Sequence, residues 1–382
     1  MTSIKAALAE RVHAASDDLI ALSHRIHAHP ETAFEEIRAC GWVGDLLEAH
    51  GLPVEQGVYE LPTAVRATVG SGPVHVVICL EYDALPGVGH ACGHNVIAAA
   101  GAGAGLALAP LVDDLGLTLT VLGTPAEENG GGKIIMLERG AFDGVDAAMM
   151  VHPAPYELDQ MPCRAYVPMD VTYRGKAAHA SAFPEAGLNA ADALTVAQVG
   201  IGLLRQHLHP GDRVHGIVRH GGDAPNVVPD RTSGQWYVRA PDLDRLEVLV
   251  DRVNSCFRAG AEATGCGVSV ESGRTYSHFT HSEELAYWYR SNAEALGRGF
   301  ADFSAATLER MAGSTDMANV SLVCPAIHPT LNISSGDAVN HQPEFAAACA
   351  APPADWAALD GATAMAWTCA DLADAAASKE RT

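Results

Sequence analysis

The chain has 382 residues, too many for one ordinary hydrophobic core, so two domains are expected. Its 48% hydrophobic and 18% charged composition excludes overall disorder. Forty-six acidic residues against 24 basic ones give a formal net charge of -22. Such a surface repels phosphate backbones and anionic headgroups, so no nucleic-acid or membrane partner is expected.

The first residues read as an amphipathic helix from about Ile4 to His29 that stops near Pro30. Asp17 and Asp18 interrupt its apolar face, which argues against a signal peptide. A second helix is expected from Phe34 to His50, closed by Gly51. Val74 to Leu80 (VHVVICL) reads as a buried strand, and a loop with Pro86, Gly87 and Gly89 follows. A small-residue helix starts near Val96. Its Ala/Gly run, Ile97 to Pro110, is too short to span a bilayer and reads as a packed core helix. Next come a strand (Leu117 to Leu122), the loop TPAEENGGG, a helix from Lys133, and a third strand (Ala147 to Val151). Strands alternating with helices mean an α/β domain with a mainly parallel sheet.

The pattern changes after Pro162. Strand (Tyr166 to Tyr173), helix (Ala190 to His207) and strand (Arg213 to Arg219) come first. Strand (Ser233 to Arg239), helix (Leu243 to Thr264) and strand (Val268 to Ser272) follow. This is the β-α-β-β-α-β order of a ferredoxin-like α+β unit, inserted into the larger domain. The expected division is 1–164 and 281–382 for the α/β domain and 165–280 for the insert. The tail ASKERT reads as frayed. The nine cysteines are scattered with no C-x-x-C pair, so a reducing cytoplasm is expected, with Cys40, Cys79, Cys256 and Cys324 as ordinary buried thiols.

Chemistry-bearing residues gather at the carboxyl ends of the three strands of the α/β domain. Asp83, His90, Cys92 and His94 follow the first, Glu127 and Glu128 the second, and His152 ends the third. Ligands of open parallel sheets bind outside those strand ends. Thiol, imidazole and carboxylate are all zinc ligands, and their convergence from three loops is what makes a metal site the favoured reading. Each residue alone is more often packed or solvated than ligating. In the pair Glu127-Glu128, one carboxylate can bind a metal while its neighbour takes a proton from an activated water.

The segments HRIHAHPETAFEE, DALPG, HACGHN, PAEENGGGK, VHP, GKAAHAS, PNVVPD, GSTDMANVS and NHQPEF, spread over nearly the whole chain, resemble the amidohydrolase branch of the aminoacylase and glutamate-carboxypeptidase metallopeptidases (metallopeptidase family M-twenty). HACGHN and PAEE together are specific, and EYDALPGVGHACGHN with GSTDMANVS looks closest to the dipeptidase and p-aminobenzoyl-glutamate hydrolase subgroup. The resemblance implies two divalent metals per chain held by Cys92, His94, Glu128, His152 and His341, zinc first and manganese or cobalt as substitutes. It makes Glu127 the general base and acid, with Asp83 orienting a ligand. It also implies that the insert is a lid through which the chain forms a homodimer. His179 in GKAAHAS would reach the partner's site and stabilise the oxyanion, and Asn226 and Arg239 would bind a substrate carboxylate. Arg239 is equally compatible with an interdomain salt bridge. Ser314, Thr315 and Asp316 mark the subgroup without an assigned role.

The match is imperfect at two places. Glu81 stands where the auxin-conjugate branch commonly has aspartate, and Asn95 where many members carry aspartate. The expected activity is hydrolysis of an amide bond in a dipeptide or an N-acyl or aryl amino acid. The rivals are a non-catalytic metal-binding dimer on this scaffold and a hydrolase of esters or other acyl compounds.

Overall fold

Residues 2–379 are described by a computed structural model. Their contacts define two units. The first holds the chain up to Pro162, Phe279–Leu308 and the chain from Thr315 on; the second holds Cys163–His278 and Glu309–Ser314. The elements run α1 (Thr2–Ala14), α2 (Ser16–His27), α3 (Ile37–Ala49), β1 (Val54–Gln56), β2 (Val65–Val69), β3 (Val74–Glu81), α4 (His94–Leu108), α5 (Val112–Leu115), β4 (Leu117–Thr124), α6 (Gly132–Glu138), β5 (Ala147–Met149) and β6 (His152–Ala154). They continue with β7 (Ala165–Arg174), α7 (Ala190–Leu204), β8 (Arg213–His220), β9 (Arg231–Ala240), α8 (Leu243–Thr264) and β10 (Gly267–Ser272). The last are α9 (Glu283–Ala295), α10 (Ala305–Met311), α11 (Met317–Val320), β11 (Ala326–Ile327), β12 (Thr330–Asn332), α12 (Pro343–Ala348) and α13 (Pro352–Lys379).

The first unit is mixed α/β. Its six-stranded sheet has the order β1-β2-β4-β3-β5-β11. The β4-β3-β5-β11 pairings are parallel, and only the β1 and β2 edge is antiparallel. β3 and β4 are buried along nearly their whole length because both faces are covered. Every residue of α4 is buried. Its small residues allow that: a Cβ on Gly101 would sit 2.8 Å from the Leu80 Cβ, and one on Gly103 2.9 Å from Ala362. The helix thus lies directly on β3 and against α13, with its N-terminus at the end of the sheet where β3 ends.

In the second unit the chain order is β7-α7-β8-β9-α8-β10, and the sheet order β10-β7-β9-β8 is antiparallel throughout. β7 and β9 alternate buried and exposed residues, and their inner faces (Val167, Met169, Val171, Trp236, Val238) pack on α7 and α8. The segment 309–314, which the sequence pattern leaves in the α/β domain, belongs here. The Arg164 N–H donates to the Gly313 carbonyl, and Ser314 is bonded by Arg239.

Several expectations need correcting. The opening helix is two helices, α1 and α2, interrupted at Ala15. α3 starts at Ile37 because Phe34 is left-handed, with φ of 64°, and cannot sit inside a right-handed helix. The edge strands β1 and β2 were not anticipated. The third strand ends at Met149, and the chain then steps into a separate parallel pair, β6 with β12, so His152 opens a strand instead of ending one. The helical run His94–Leu115 is long and apolar enough to cross a membrane by composition, contrary to the expectation for Ile97 to Pro110. Its burial within the unit marks it as a core helix. Cys256 is half-buried, unlike Cys40, Cys79 and Cys324. The tail is helical through Lys379, and residues 380–382 lie outside the described residues.

Candidate metal centre

Three chain turns at the carboxyl end of the sheet carry the site. After β3 the chain places Asp83, fully buried, against His94, the first residue of α4. Asp83 Oδ1 lies 2.9 Å from His94 Nδ1, and Asp83 Oδ2 accepts the Glu128 backbone N–H at 3.0 Å. One carboxylate therefore fixes the His94 tautomer and the entry of the second loop. With Nδ1–H committed, His94 Nε2 is left without a hydrogen-bond partner. It faces Glu81 Oε2 at 3.4 Å, Glu128 Oε1 at 3.8 Å and Glu127 Oε2 at 3.9 Å.

Cys92 stands between two imidazoles. Its Sγ is 3.5 Å from His152 Nε2 and 3.6 Å from His341 Nε2. His152 Nδ1 is bonded to the Pro153 carbonyl, and His341 is held by its backbone N–H to Ala91 with φ of 74°. His341 Nε2 lies 3.8 Å from Glu128 Oε2. Gly93, between Cys92 and His94, has φ of 78°, and a Cβ there would lie 2.8 Å from Pro153 Cγ. Only glycine fits that turn.

Three donor triads result, Cys92 with His94 and His152, Cys92 with Glu128 and His341, and Glu81 with His94 and Glu127, each with its donor atoms within 4.8 Å of one another. The first two share the Cys92 sulfur, and the third shares His94 with the first. Buried oxygens and nitrogens point at one another here with no hydrogen bond between them: Glu81 Oε2, His94 Nε2 and Glu128 Oε1. Such groups are costly unless something compensates them, and sulfur, imidazole and carboxylate in one place fit a divalent cation.

The electrostatics fit it too. Burial, then the charges of Glu81 and Glu128, pushes the Glu127 carboxyl well above the usual range. Burial opposes charge on His94, but Asp83 and Glu81 outweigh it and raise its pKa well above the ordinary value. Burial also opposes charge on Asp83, but the pairing with His94 overcomes it and the pKa is lowered. Burial and His94 lower His152 to about 4, keeping it neutral as a ligand must be. Burial and Glu128 raise the Cys92 thiol. A crowd of carboxylates that disfavours its own ionisation is relieved by added positive charge.

Three residues of this neighbourhood have no task assigned by the sequence. Lys133, fully buried on the first turn of α6, donates to Glu81 and, at 2.9 Å, to Asp316 Oδ1. Its backbone N–H also donates to Asp316 Oδ2. Asp316, a subgroup mark without a role in the sequence, is thus the partner of a buried ammonium. Asn95 is buried as well and ties Ser23 Oγ to the Cys349 carbonyl. The loop before Glu127 contains another oddity. Ala126 is fully buried with φ of 58°, which costs roughly 1–2 kcal/mol for a residue with a Cβ.

His179, Asn226 and Arg239 belong to the second unit. The exposed His179 accepts the backbone N–H groups of Ser181 and Ala182 on Nδ1, which leaves its proton on Nε2. Asn226 lies beside it, its carbonyl accepting the Ala180 N–H. Arg239 is stacked over Tyr166 (4.6 Å) and Tyr237 (5.7 Å) and donates to Ser314 Oγ at 2.8 Å.

Residues 79–355 match the model of peptidase family M20/M25/M40. The chain belongs to this family. Curated relatives include the Xaa-Arg dipeptidase of Mus musculus, 40% identical over 97% of this chain and 89% of its own length. A p-aminobenzoyl-glutamate hydrolase chain of Escherichia coli (strain K12) is 31% identical over 69% of the chain and 59% of its own length. Among solved structures, an aminobenzoyl-glutamate utilization protein from Klebsiella pneumoniae superposes with a TM-score of 0.76 at 19% identity, covering 95% of this chain and 98% of its own. A putative aminohydrolase from methicillin-resistant Staphylococcus aureus gives 0.78 at 19% identity, covering 96% and 99%. The family member described here is accordingly a hydrolytic metalloenzyme acting on peptide or amide bonds.

Proposed function

We propose that the chain is a di-metal dipeptidase or amidohydrolase in which Glu127 is the general base and acid. The observation that carries this is the pair of donor triads sharing Cys92, with the buried Glu127 carboxylate beside His94. Cys92, His94, Glu128, His152 and His341 would hold the two ions, and the soft sulfur and imidazole donors favour zinc over manganese or cobalt. When bound, the ions supply Lewis acidity at the substrate carbonyl and lower the pKa of water toward about 7.

Glu127 takes the proton of the attacking water and returns it to the leaving nitrogen. Burial, and then crowding by Glu81 and Glu128, favours a carboxyl able to keep that proton between the two steps. Asp83 holds the His94 ring and the Glu128 backbone in register. The second unit serves as a ferredoxin-like lid and dimerisation domain. Exposed Val199, Leu203 and Ile217 on α7 and β8 support burial against a second copy. His179, with its proton on Nε2, is suited to donate to the oxyanion in a second copy's site. Arg239 has no carboxylate partner among the described residues, which favours a substrate carboxylate as its partner; Asn226 completes that recognition.

The two dipeptidase relatives, mouse and human, span nearly the whole chain, so dipeptides rank ahead of N-acyl and aryl-glutamate substrates. Nine unpaired cysteines support a cytoplasmic setting. The test is Glu127→Gln. It is expected to keep the fold and the metal while kcat drops roughly 10²–10⁴-fold. Near-normal turnover would remove Glu127 from the role.

A further inference from the structure

The segment Glu31–Glu36 lies in the opening motif, HRIHAHPETAFEE, to which the chemistry above gives no task. In the structure it spans both loops of the centre. The Glu31 carbonyl accepts the N–H of Ala84, the residue after Asp83, at 2.8 Å. Glu36 Oε1 accepts the N–H of Ala126, the residue before Glu127, at 2.8 Å. Between them the Phe34 ring lies against the loop after Glu128. A Cβ on Gly130 would sit 2.5 Å from Phe34 Cε2, so the ring seats where only glycine leaves room. The Glu31 carboxylate accepts the backbone N–H groups of Arg38 and Ala39 and anchors the segment to α3.

Ala126 is the point on which this bracing acts. It is buried and left-handed, a conformation an alanine leaves readily unless its surroundings hold it. Three bonds hold it here: its N–H to Glu36, and its carbonyl to the Gly131 N–H at 2.9 Å and the Gly132 N–H at 3.4 Å. Relaxation of Ala126 into an ordinary conformation would swing the next side chain, Glu127, to a new direction. Glu36 is itself fully buried, and its carboxyl reaches the Ala126 N–H across 90 residues of chain.

We propose that Glu36 is a positioning residue for the active-site turn, holding Ala126 in its left-handed conformation so that the Glu127 carboxylate faces the reacting atoms. This rests on the reading of Glu127 as the base. Burial and nearby Asp83 raise the Glu36 carboxyl to about 7, so the neutral amide of glutamine, which keeps the acceptor oxygen, is a close substitute.

The metal-loaded enzyme and its Glu36→Ala, Glu36→Asp and Glu36→Gln variants are compared for kcat, KM and hydrogen exchange of the peptide containing Ala126. Displacement of a catalytic group by about 1 Å can cost roughly 100-fold, so Glu36→Ala and the shortened Glu36→Asp are expected to lose roughly 10–100-fold in kcat. KM and metal content should change little, and the Ala126 amide should exchange faster. Glu36→Gln should stay within about threefold of the parent. Adding Ala126→Gly to Glu36→Ala should recover part of the lost kcat, because glycine adopts the left-handed turn without support. Equal losses in the Asp and Gln variants, or lost activity with Ala126 protection unchanged, overturn the proposal. If Glu36→Ala does not fold, the Asp and Gln pair decides alone. An active Glu127→Gln would sink the base assignment separately, whereas Ala126 exchange still reports whether Glu36 holds the turn.

Discussion

Replacing Lys133 by methionine should destabilise the first unit strongly. The ammonium lies between Glu81 and Asp316, and all three side chains are fully buried. Methionine nearly matches the lysine stem in volume, so little of the cost comes from a cavity. The cost comes from two stranded carboxylates. Asp316 already sits at about 6, raised by burial and only partly relieved by Lys133. Removing one partner of a buried ion pair typically costs roughly 3–5 kcal/mol. For a unit of this size each kcal/mol moves the midpoint by about 2–4 °C, giving a drop of roughly 6–20 °C. Urea unfolding at neutral pH, followed by tryptophan fluorescence, measures the loss directly. The triple variant Lys133→Met, Glu81→Gln, Asp316→Asn strands no charge and should recover more than half of it. A loss below about 1 kcal/mol in Lys133→Met would refute the reasoning, because that is the scale of an ordinary surface change.

Other consequences follow from the same geometry. Asp83→Asn leaves one acceptor oxygen, and no charge, for two donors, the His94 ring N–H and the Glu128 backbone N–H; calorimetric titration should show metal affinity falling roughly 10–100-fold. Gly93→Ala forces a Cβ against Pro153 in a left-handed turn, and thermal unfolding should show a loss of roughly 1–3 kcal/mol. His281 is held neutral, its pKa lowered by burial, with Nε2 bonded to the Met161 carbonyl. The unfolded chain takes up a proton near pH 6.5 that the folded one refuses, so this residue makes stability fall as pH drops below 6.5. His281→Gln should therefore flatten the decline seen for the parent over that range, measured by urea unfolding at a series of pH values.

Much of the centre could be read from residues. Cys92, His94, Glu127 and Glu128 are conspicuous because α/β alternation puts their loops at one sheet edge, where ligand-type residues coincide. His341 has no such local signal. It sits far along the chain and enters only through the resemblance of NHQPEF, and in space it is brought in by a backbone bond to Ala91. Lys133 after three glycines reads only as the start of a helix. Its burial depends on Asp316, 183 residues further on, a pairing no local pattern contains. Ala126 likewise gives no hint of left-handed backbone, since alanine chemistry does not ask for it and Glu36 imposes it from 90 residues away. Long apolar strands such as β3 announce themselves, whereas β1, three residues long and partly exposed, carries too little pattern to be seen.

The most direct test of a two-metal hydrolase is metal content per chain, measured by elemental analysis together with cleavage of a panel of dipeptides and N-acyl amino acids before and after chelation. The predicted result is about two divalent ions per chain and dipeptide cleavage that is lost on chelation and restored by metal. Cleavage unaffected by complete metal removal, or no bound metal under replete conditions, would contradict it.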